Sequence, residues 1–117
     1  MATSTVSNIV GSGTNANGTW IQFQDGTMIC TKQISASVTF NTSYGGWFET
    51  AVATDFGDWA KPFISTPVIS VTIGGQMALL ESVHNVSETS AGSSYVIKPI
   101  GVTQTNVFNI IGIGRWK

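Results

Sequence analysis

Paired carboxylates are the first candidates for chemistry in this sequence, because two carboxyl groups at a suitable separation are the minimum requirement for cleaving a glycosidic bond. Asp55 and Asp58 form one such pair along the chain, and Glu49 and Glu81 form another. A chain with six acidic residues supplies such pairs by chance. We therefore interpret these carboxylates as structural or solvated side chains.

Nucleophilic catalysis would have to use His84, which is the only histidine of the chain. A serine hydrolase of the common type also needs a Gly-x-Ser-x-Gly nucleophile elbow, and the sequence contains none. With a single cysteine, Cys30, neither an intrachain disulfide nor a repeated-cysteine metal site can form. We expect a protein that is not an enzyme and that holds no cofactor and no metal.

Saccharide binding is a further chemical possibility, since the apolar face of a pyranose packs on an aromatic ring while its hydroxyls need fixed donors and acceptors. Segment 41–63 places aromatic rings beside carboxylates and glycines. Outside it, Tyr95 and His84 are further candidates. The alternative is that the aromatic side chains of the segment cap the hydrophobic core. The residues of the segment that we predict to bind a ligand are Tyr44, Trp47, Asp55, Asp58 and Trp59.

The elements that must position these residues are β-strands. The clearest is a β-hairpin over residues 20–30, where Asp25-Gly26 predicts a two-residue turn because both central positions of a type I′ turn need positive φ. We expect Cys30 to be a buried free thiol, since it lies on the apolar face of this hairpin. That face is predicted to consist of Ile21, Phe23, Met28 and Cys30, with Phe23 opposite Met28 and Ile21 opposite Cys30.

Further strands are predicted at 31–40, 68–73, 78–83, 95–100 and 106–115, where apolar and polar residues alternate or short apolar runs occur. A short helical turn is expected only at 58–61. These elements predict an all-β fold, an antiparallel β-sandwich of about six to eight short strands. Residues 1–18 are rich in Ser, Thr, Asn, Ala and Gly, which predicts a linker or lead-in before a sandwich domain at 19–117.

Composition excludes several classes of partner. The 117 residues suit one domain, and only 9% of them are charged, against about 25% in typical soluble domains. The net charge of -1 and the lack of basic clusters argue against nucleic acid. No apolar run is long enough to span a bilayer and no basic residue precedes Lys32, so we expect neither membrane insertion nor an export signal.

The last predicted strand is apolar on both faces, whereas strands of a small sandwich normally show one face to water. Such a strand is covered either by loops of the same domain or by another subunit. Because the chain has few charges, we favour burial in an oligomer. The side chains on one face are Val107, Ile111 and Ile113, and those on the other are Phe108 and Ile110.

Three segments of the chain carry a recognisable pattern: the opening hairpin with Asn17–Phe23 and Asp25–Cys30, the Phe-x-x-x-Pro-Val segment at Phe63–Val71, and the tail Ile111–Lys117. Together they resemble the C-terminal receptor-binding domains of bacteriophage tail fibres and minor tail proteins. The resemblance implies a homotrimer at the distal end of a fibre, assembled in the host cytoplasm and carried on the virion. It also implies upstream fibre segments as partners and a bacterial surface saccharide as a common receptor.

The family has no shared binding motif, so the resemblance assigns no site residue. A rival within the same family is a structural trimerisation cap that stabilises the fibre without touching the host. A lectin-like domain of a host is a third interpretation.

Overall fold

The computed structural model describes residues 8–117, which form nine β-strands and no helix. The predicted helical turn at 58–61 is wrong, because Asp58 instead forms an isolated antiparallel bridge with Ser90. No helix in the described range could cross a membrane. The strands are β1 (Ile9–Asn15), β2 (Gly18–Phe23), β3 (Thr27–Tyr44), β4 (Trp47–Thr50), β5 (Thr54–Asp55), β6 (Val68–Gly75), β7 (Leu79–His84), β8 (Ser93–Lys98) and β9 (Thr103–Arg115).

All strand pairs are antiparallel, as predicted. The main sheet has the order β1-β2-β3-β9-β6. The small sheet consists of β4, β8, β5 and β7, and it joins the main sheet through Phe40–Tyr44 at the end of β3. Nine strands replace the six to eight expected, and β3 and β9 are long, with 18 and 13 residues.

The lead-in predicted at 1–18 is wrong for residues 9–15, which form β1 and pair with β2. Low hydrophobicity concealed this strand, because its residues are mostly exposed and only its backbone is fixed by the sheet. Residues 1–7 lie outside the described residues. The connection of this end to a fibre shaft stays a prediction.

The hairpin of β2 and β3 is confirmed, but its predicted register is wrong by one residue. The loop has three residues, of which Gly26 is the last. The Gly26 N–H donates to the Phe23 carbonyl at 3.0 Å, and Gly26 itself has a φ of +98°. This is the pattern of a type I turn that ends in a left-handed glycine. The extra loop residue moves Ile21 and Phe23 to the other face. The buried face carries Trp20, Gln22, Met28 and Cys30, with Trp20 opposite Cys30 and Gln22 opposite Met28.

One hydrophobic core receives side chains from both sheets. The alternation predicted for residues 31–40 is confirmed, with Val38 and Phe40 buried and their odd-numbered neighbours exposed. Cys30 is buried as expected, and desolvation raises the pKa of its thiol. The largest fully buried side chains of the core are Phe40, Phe56, Phe108, Met28, Ile110 and Val96.

The domain is long and narrow, with extents of 61 × 27 × 23 Å. Its radius of gyration is 16.9 Å, whereas a compact globule of this length would have about 13 Å. A rod of this kind exposes more surface than a sphere, so several large apolar side chains remain at the surface.

Candidate functional site

The five residues predicted to bind a ligand do not form one site. Trp59 is only 3% exposed, and its indole N–H donates to the Ser87 carbonyl at 3.1 Å. Its ring packs edge-on against Phe63, with centroids 5.6 Å apart. Its burial in the core removes Trp59 from any saccharide site, as the alternative interpretation of this segment foresaw.

Trp47 and Asp55 lie at opposite ends of the small sheet. On β8, Phe48 pairs with Lys98 whereas Asp55 pairs with Ser93. At about 3.3 Å per residue, this register separates Trp47 from Asp55 by roughly 20 Å. Trp47 is 36% exposed and pairs with Tyr44 across the β3–β4 turn, and the side chain of Tyr44 lies outside the described residues.

Asp58 joins the segment after β5 to β3 through its backbone. Its backbone carbonyl accepts a hydrogen bond from Lys32 Nζ at 2.7 Å, which ties the segment after β5 to β3. Desolvation lowers the pKa of Lys32, although the negative charges of Asp58 and Asp55 oppose this. Asp55 Oδ1 accepts the Gly57 N–H at 2.9 Å and so fixes the turn that follows β5.

Asp55 instead shares the outer face of the small sheet with residues of β7 and β8. It lies directly opposite Ser93, which on its other side lies opposite His84. Tyr95, two residues along β8, projects from the same face and lies diagonal to both Asp55 and His84, at about 7–8 Å. We call this surface of Asp55, His84, Ser93 and Tyr95 the Tyr95 face.

Side chains on this face hold one another in place. The rings of His84 and Tyr95 are edge-on, with centroids 5.8 Å apart. The Ser82 hydroxyl lies 2.7 Å from His84 Nε2 and fixes the other edge of the imidazole. A half-buried Tyr95 ring with a preset neighbour is suited to packing against an apolar ligand surface, because little side-chain entropy remains to be lost.

A cavity of about 350 Å³ adjoins the Asp55 end of the Tyr95 face. Asn85 adopts a left-handed conformation there, with φ of 61°, which an asparagine tolerates better than most residues. Carboxylate, amide and hydroxyl groups line the cavity and are the donors and acceptors that sugar hydroxyls require. Its lining residues are Val52, Ala53, Asp55, Asn85, Ser90, Gly92 and Ser93.

Glu49 and Glu81 meet at the other end of the same sheet face. A side-chain hydrogen bond with Glu49 raises the pKa of Glu81, with smaller contributions from desolvation and from the Glu49 charge. No group of three or more His, Cys, Asp or Glu side chains that could hold a metal ion occurs within residues 8–117.

Ser93 and Asn85 were not predicted as site residues, because their position beside Asp55 depends on the strand register. An irregularity between Leu80 and Ser82 shifts the pairing of β7 with β8, and this shift aligns His84 with Ser93. The alternation of Tyr95 with Val96 was the available signal, since it places the tyrosine on the outer face.

The outer face of the main sheet presents a different surface, an apolar row that crosses four strands. Ile21 pairs with Ile29, Ile29 pairs with Ile113, and Ile113 pairs with Val68. Val68 is 77% exposed and Ile113 is 47% exposed. The two-faced final strand is thereby confirmed, because Phe108 and Ile110 are buried on the other side.

The fold is similar to that of a solved tail-fibre fragment. A C-terminal fragment of the P. aeruginosa R1 pyocin fibre matches with a TM-score of 0.56 and 15% identity, over 90% of this chain and 28% of that chain. An N-truncated R1-type pyocin tail fibre matches with a TM-score of 0.49 and 15% identity, over 90% of this chain and 86% of that chain. The chain thus spans about a quarter of the first fragment.

No protein-family model and no curated protein sequence matches the chain. The likeness to the fibre fragment therefore establishes a shared fold. The resemblance to tail-fibre C-terminal domains that the sequence indicated is confirmed at the level of that fold.

Proposed function

We propose that this chain is a noncatalytic tip domain of a phage-type tail fibre, which forms a homotrimer and binds a saccharide on the surface of a host bacterium. The observation that carries the proposal is the fold shared with the R1 pyocin fibre fragment. In this role the domain acts outside the cell, at the distal end of the fibre, after assembly in the host cytoplasm.

Trimer formation is supported by the apolar row on the outer face of the main sheet. Val68 and Ile113 are directly opposed and both exposed, so a second subunit packed on this face would remove contiguous apolar surface from water. The neighbouring rows of the face are mostly uncharged, and Gln33 donates to Asn109 Oδ1 within one of them at 2.8 Å. Most of this face can be buried without desolvating charges, and its one neighbouring charge on the described strands, Arg115 opposite Thr27, lies at the end of β9.

Saccharide recognition is supported by the Tyr95 face. The Tyr95 ring would pack on a sugar face, while Asp55, Ser93 and Asn85 would bond its hydroxyls. Three shallow sites on one trimer would multiply a weak affinity.

A structural cap is the second candidate, and one observation favours it. Polar groups on the outer face of the small sheet already contact one another, as the Ser82 hydroxyl does with His84 Nε2. A surface whose polar groups already contact one another gains fewer hydrogen bonds from a ligand. The noncatalytic role is common to both candidates.

Labelled trimer binding to host cells distinguishes the two candidates. Tyr95→Ala should abolish cell labelling while the trimer persists, because the ring is removed from the proposed site and lies on another sheet than the apolar row. Trp47→Ala is the matched control, since it removes an exposed aromatic side chain about 20 Å from Asp55. Equal labelling by both variants and the unmodified chain would reject the Tyr95 site, and an unmodified trimer that labels no host would favour the cap.

A further inference from the structure

Strand β3 has a gap in its pairing on one edge. Strand β9 covers the other edge continuously from Thr27 to Thr39. On the gapped edge, the pairing of β3 with β2 extends only as far as Thr31, and its pairing with β4 begins only at Phe40. Residues 32–39 therefore have no neighbouring strand on this edge within the described part of the chain.

The backbone groups that face the gap can be assigned from the register. The Phe40 N–H donates to the Val102 carbonyl at 2.8 Å, which continues the even-numbered pairing of β3 with β9. Backbone groups of successive residues point to opposite edges of an antiparallel strand. The N–H and C=O groups of Gln33, Ser35 and Ser37 therefore point into the gap, and no backbone or side-chain group of residues 8–117 bonds them there.

A groove of about 410 Å³ lies beside this edge, between β3 and the segment 50–55. Its walls include Ile34, Ala36 and Val38, whose side chains project from the inner face of β3. An extended segment in the groove would therefore find backbone partners along its length and an apolar surface for alternate side chains. A saccharide would find the backbone groups but no exposed aromatic ring in the groove lining.

The edge lacks the devices that keep strand edges from pairing with other chains. Such edges usually carry charged side chains, proline or a bulge. The one charged residue of the gap is Lys32 at its end, and its ammonium is directed to the Asp58 carbonyl. From Gln33 to Thr39 the strand has no charged residue and no proline, and its pairing with β9 is regular. Ser35 and Ser37 are small and exposed, so a neighbouring backbone can approach closely.

We infer that the gap at Gln33, Ser35 and Ser37 receives an extended segment of a second copy of this chain, which pairs with β3 in the assembled protein. The inference rests on the proposed homotrimer. The side chains of Ser35 and Ser37 project from the same outer face as the apolar row, and β3 contributes Ile29 to that row. A subunit seated on the face therefore borders the gap as well.

Amide hydrogen exchange tests this pairing in the unmodified chain. Exchange at Ser35 and Ser37 is measured by NMR at concentrations above and below the assembly midpoint, which sedimentation equilibrium determines on the same sample. We expect these amides to exchange about 100-fold more slowly in the assembly, because an amide in a sheet exchanges only when the pairing opens. The amide of Ala36, bonded within the chain, is the internal control and should be slow at both concentrations.

A substitution tests the same edge independently. Ser35→Pro removes a backbone donor that faces the gap but none that pairs with β9, so the subunit fold should persist. We expect it to raise the assembly midpoint by about tenfold or more, whereas Ser35→Ala should leave the midpoint unchanged. Circular dichroism of both variants verifies that the strands are intact.

The outcomes separate this inference from the function proposed above. A trimer in which Ser35 and Ser37 exchange rapidly would overturn the edge pairing and leave the proposed function standing. A chain that stays monomeric at every concentration would overturn both. Slow exchange of these amides in the monomer that appears only on addition of host saccharide would also overturn the pairing, because the edge would then bind the receptor.

Discussion

Val68→Thr is the most specific test of the proposed trimer face, because it changes one exposed side chain without changing its shape. Val68 is 77% exposed, so the substitution should alter subunit stability by less than about 0.5 kcal/mol. In the trimer, the same side chain would be buried against a neighbouring subunit. The polar hydroxyl should therefore weaken assembly far more than folding.

The magnitude follows from the exposed fraction of the side chain. Full burial of a valine side chain contributes about 1.5 kcal/mol at the lower end of the usual range, so burying the exposed part contributes about 1 kcal/mol per subunit. Threonine keeps one of the two methyl groups but must desolvate a hydroxyl, and this cost of about 1 kcal/mol or more cancels what the methyl contributes, so each subunit loses about 1 kcal/mol. Three subunits lose about 3 kcal/mol together, which raises the trimer dissociation constant about 150-fold. Because this constant scales with the square of concentration, the midpoint should rise about 12-fold.

Sedimentation equilibrium over a dilution series measures this midpoint directly. Ile100→Thr is the matched control, since Ile100 is 55% exposed but lies between β8 and β9, outside the apolar row. The control should leave the midpoint unchanged. An equal shift in both variants, or none in Val68→Thr, would refute burial of this face between subunits.

Three further predictions concern the subunit itself. Gly112→Ala should lower the free energy of unfolding by about 1–3 kcal/mol in urea titrations, because a Cβ at this position would lie 2.6 Å from the buried Trp59 ring; an unchanged value would contradict that packing. Cys30 should react with thiol reagents only upon unfolding, and rapid labelling of the folded chain would contradict this. Because burial raises the pKa of the Cys30 thiol, the free energy of unfolding should fall as the pH rises above the ordinary thiol pKa of about 8.5. Gln104→Leu should cost about 3–5 kcal/mol by thermal or urea unfolding, since the buried Lys98 ammonium donates to Gln104 Oε1 and would lose this acceptor; a loss below 1 kcal/mol would show that Lys98 reaches water instead.

Strand positions could be predicted from the sequence because alternation reports burial directly. Ile69, Val71 and Ile73 pack against the core from one face of β6, as their spacing indicated. The same logic located the two apolar faces of β9, where Ile113 is exposed and Phe108 is buried. In these strands the local sequence alone determines which face each side chain occupies, so the prediction did not require knowing which strands pair with which.

Features that depend on contacts between segments distant along the chain could not be predicted in the same way. Asp25-Gly26 is compatible with both a two-residue and a three-residue loop, and the choice reverses the face on which Ile21 lies. Trp59 sits beside acidic and glycine residues in the sequence, yet Gly112 on a strand distant along the chain leaves room for its ring in the core. The alignment of Asp55 with His84 requires the register of three strands.

Sedimentation equilibrium of the unmodified chain measures whether the domain forms a trimer. We expect a species of three times the 12.4 kDa chain mass at high concentration, which dissociates on dilution. A mass of one chain at every concentration would contradict burial of the apolar row between subunits, and with it the assignment of this domain to the tip of a trimeric fibre.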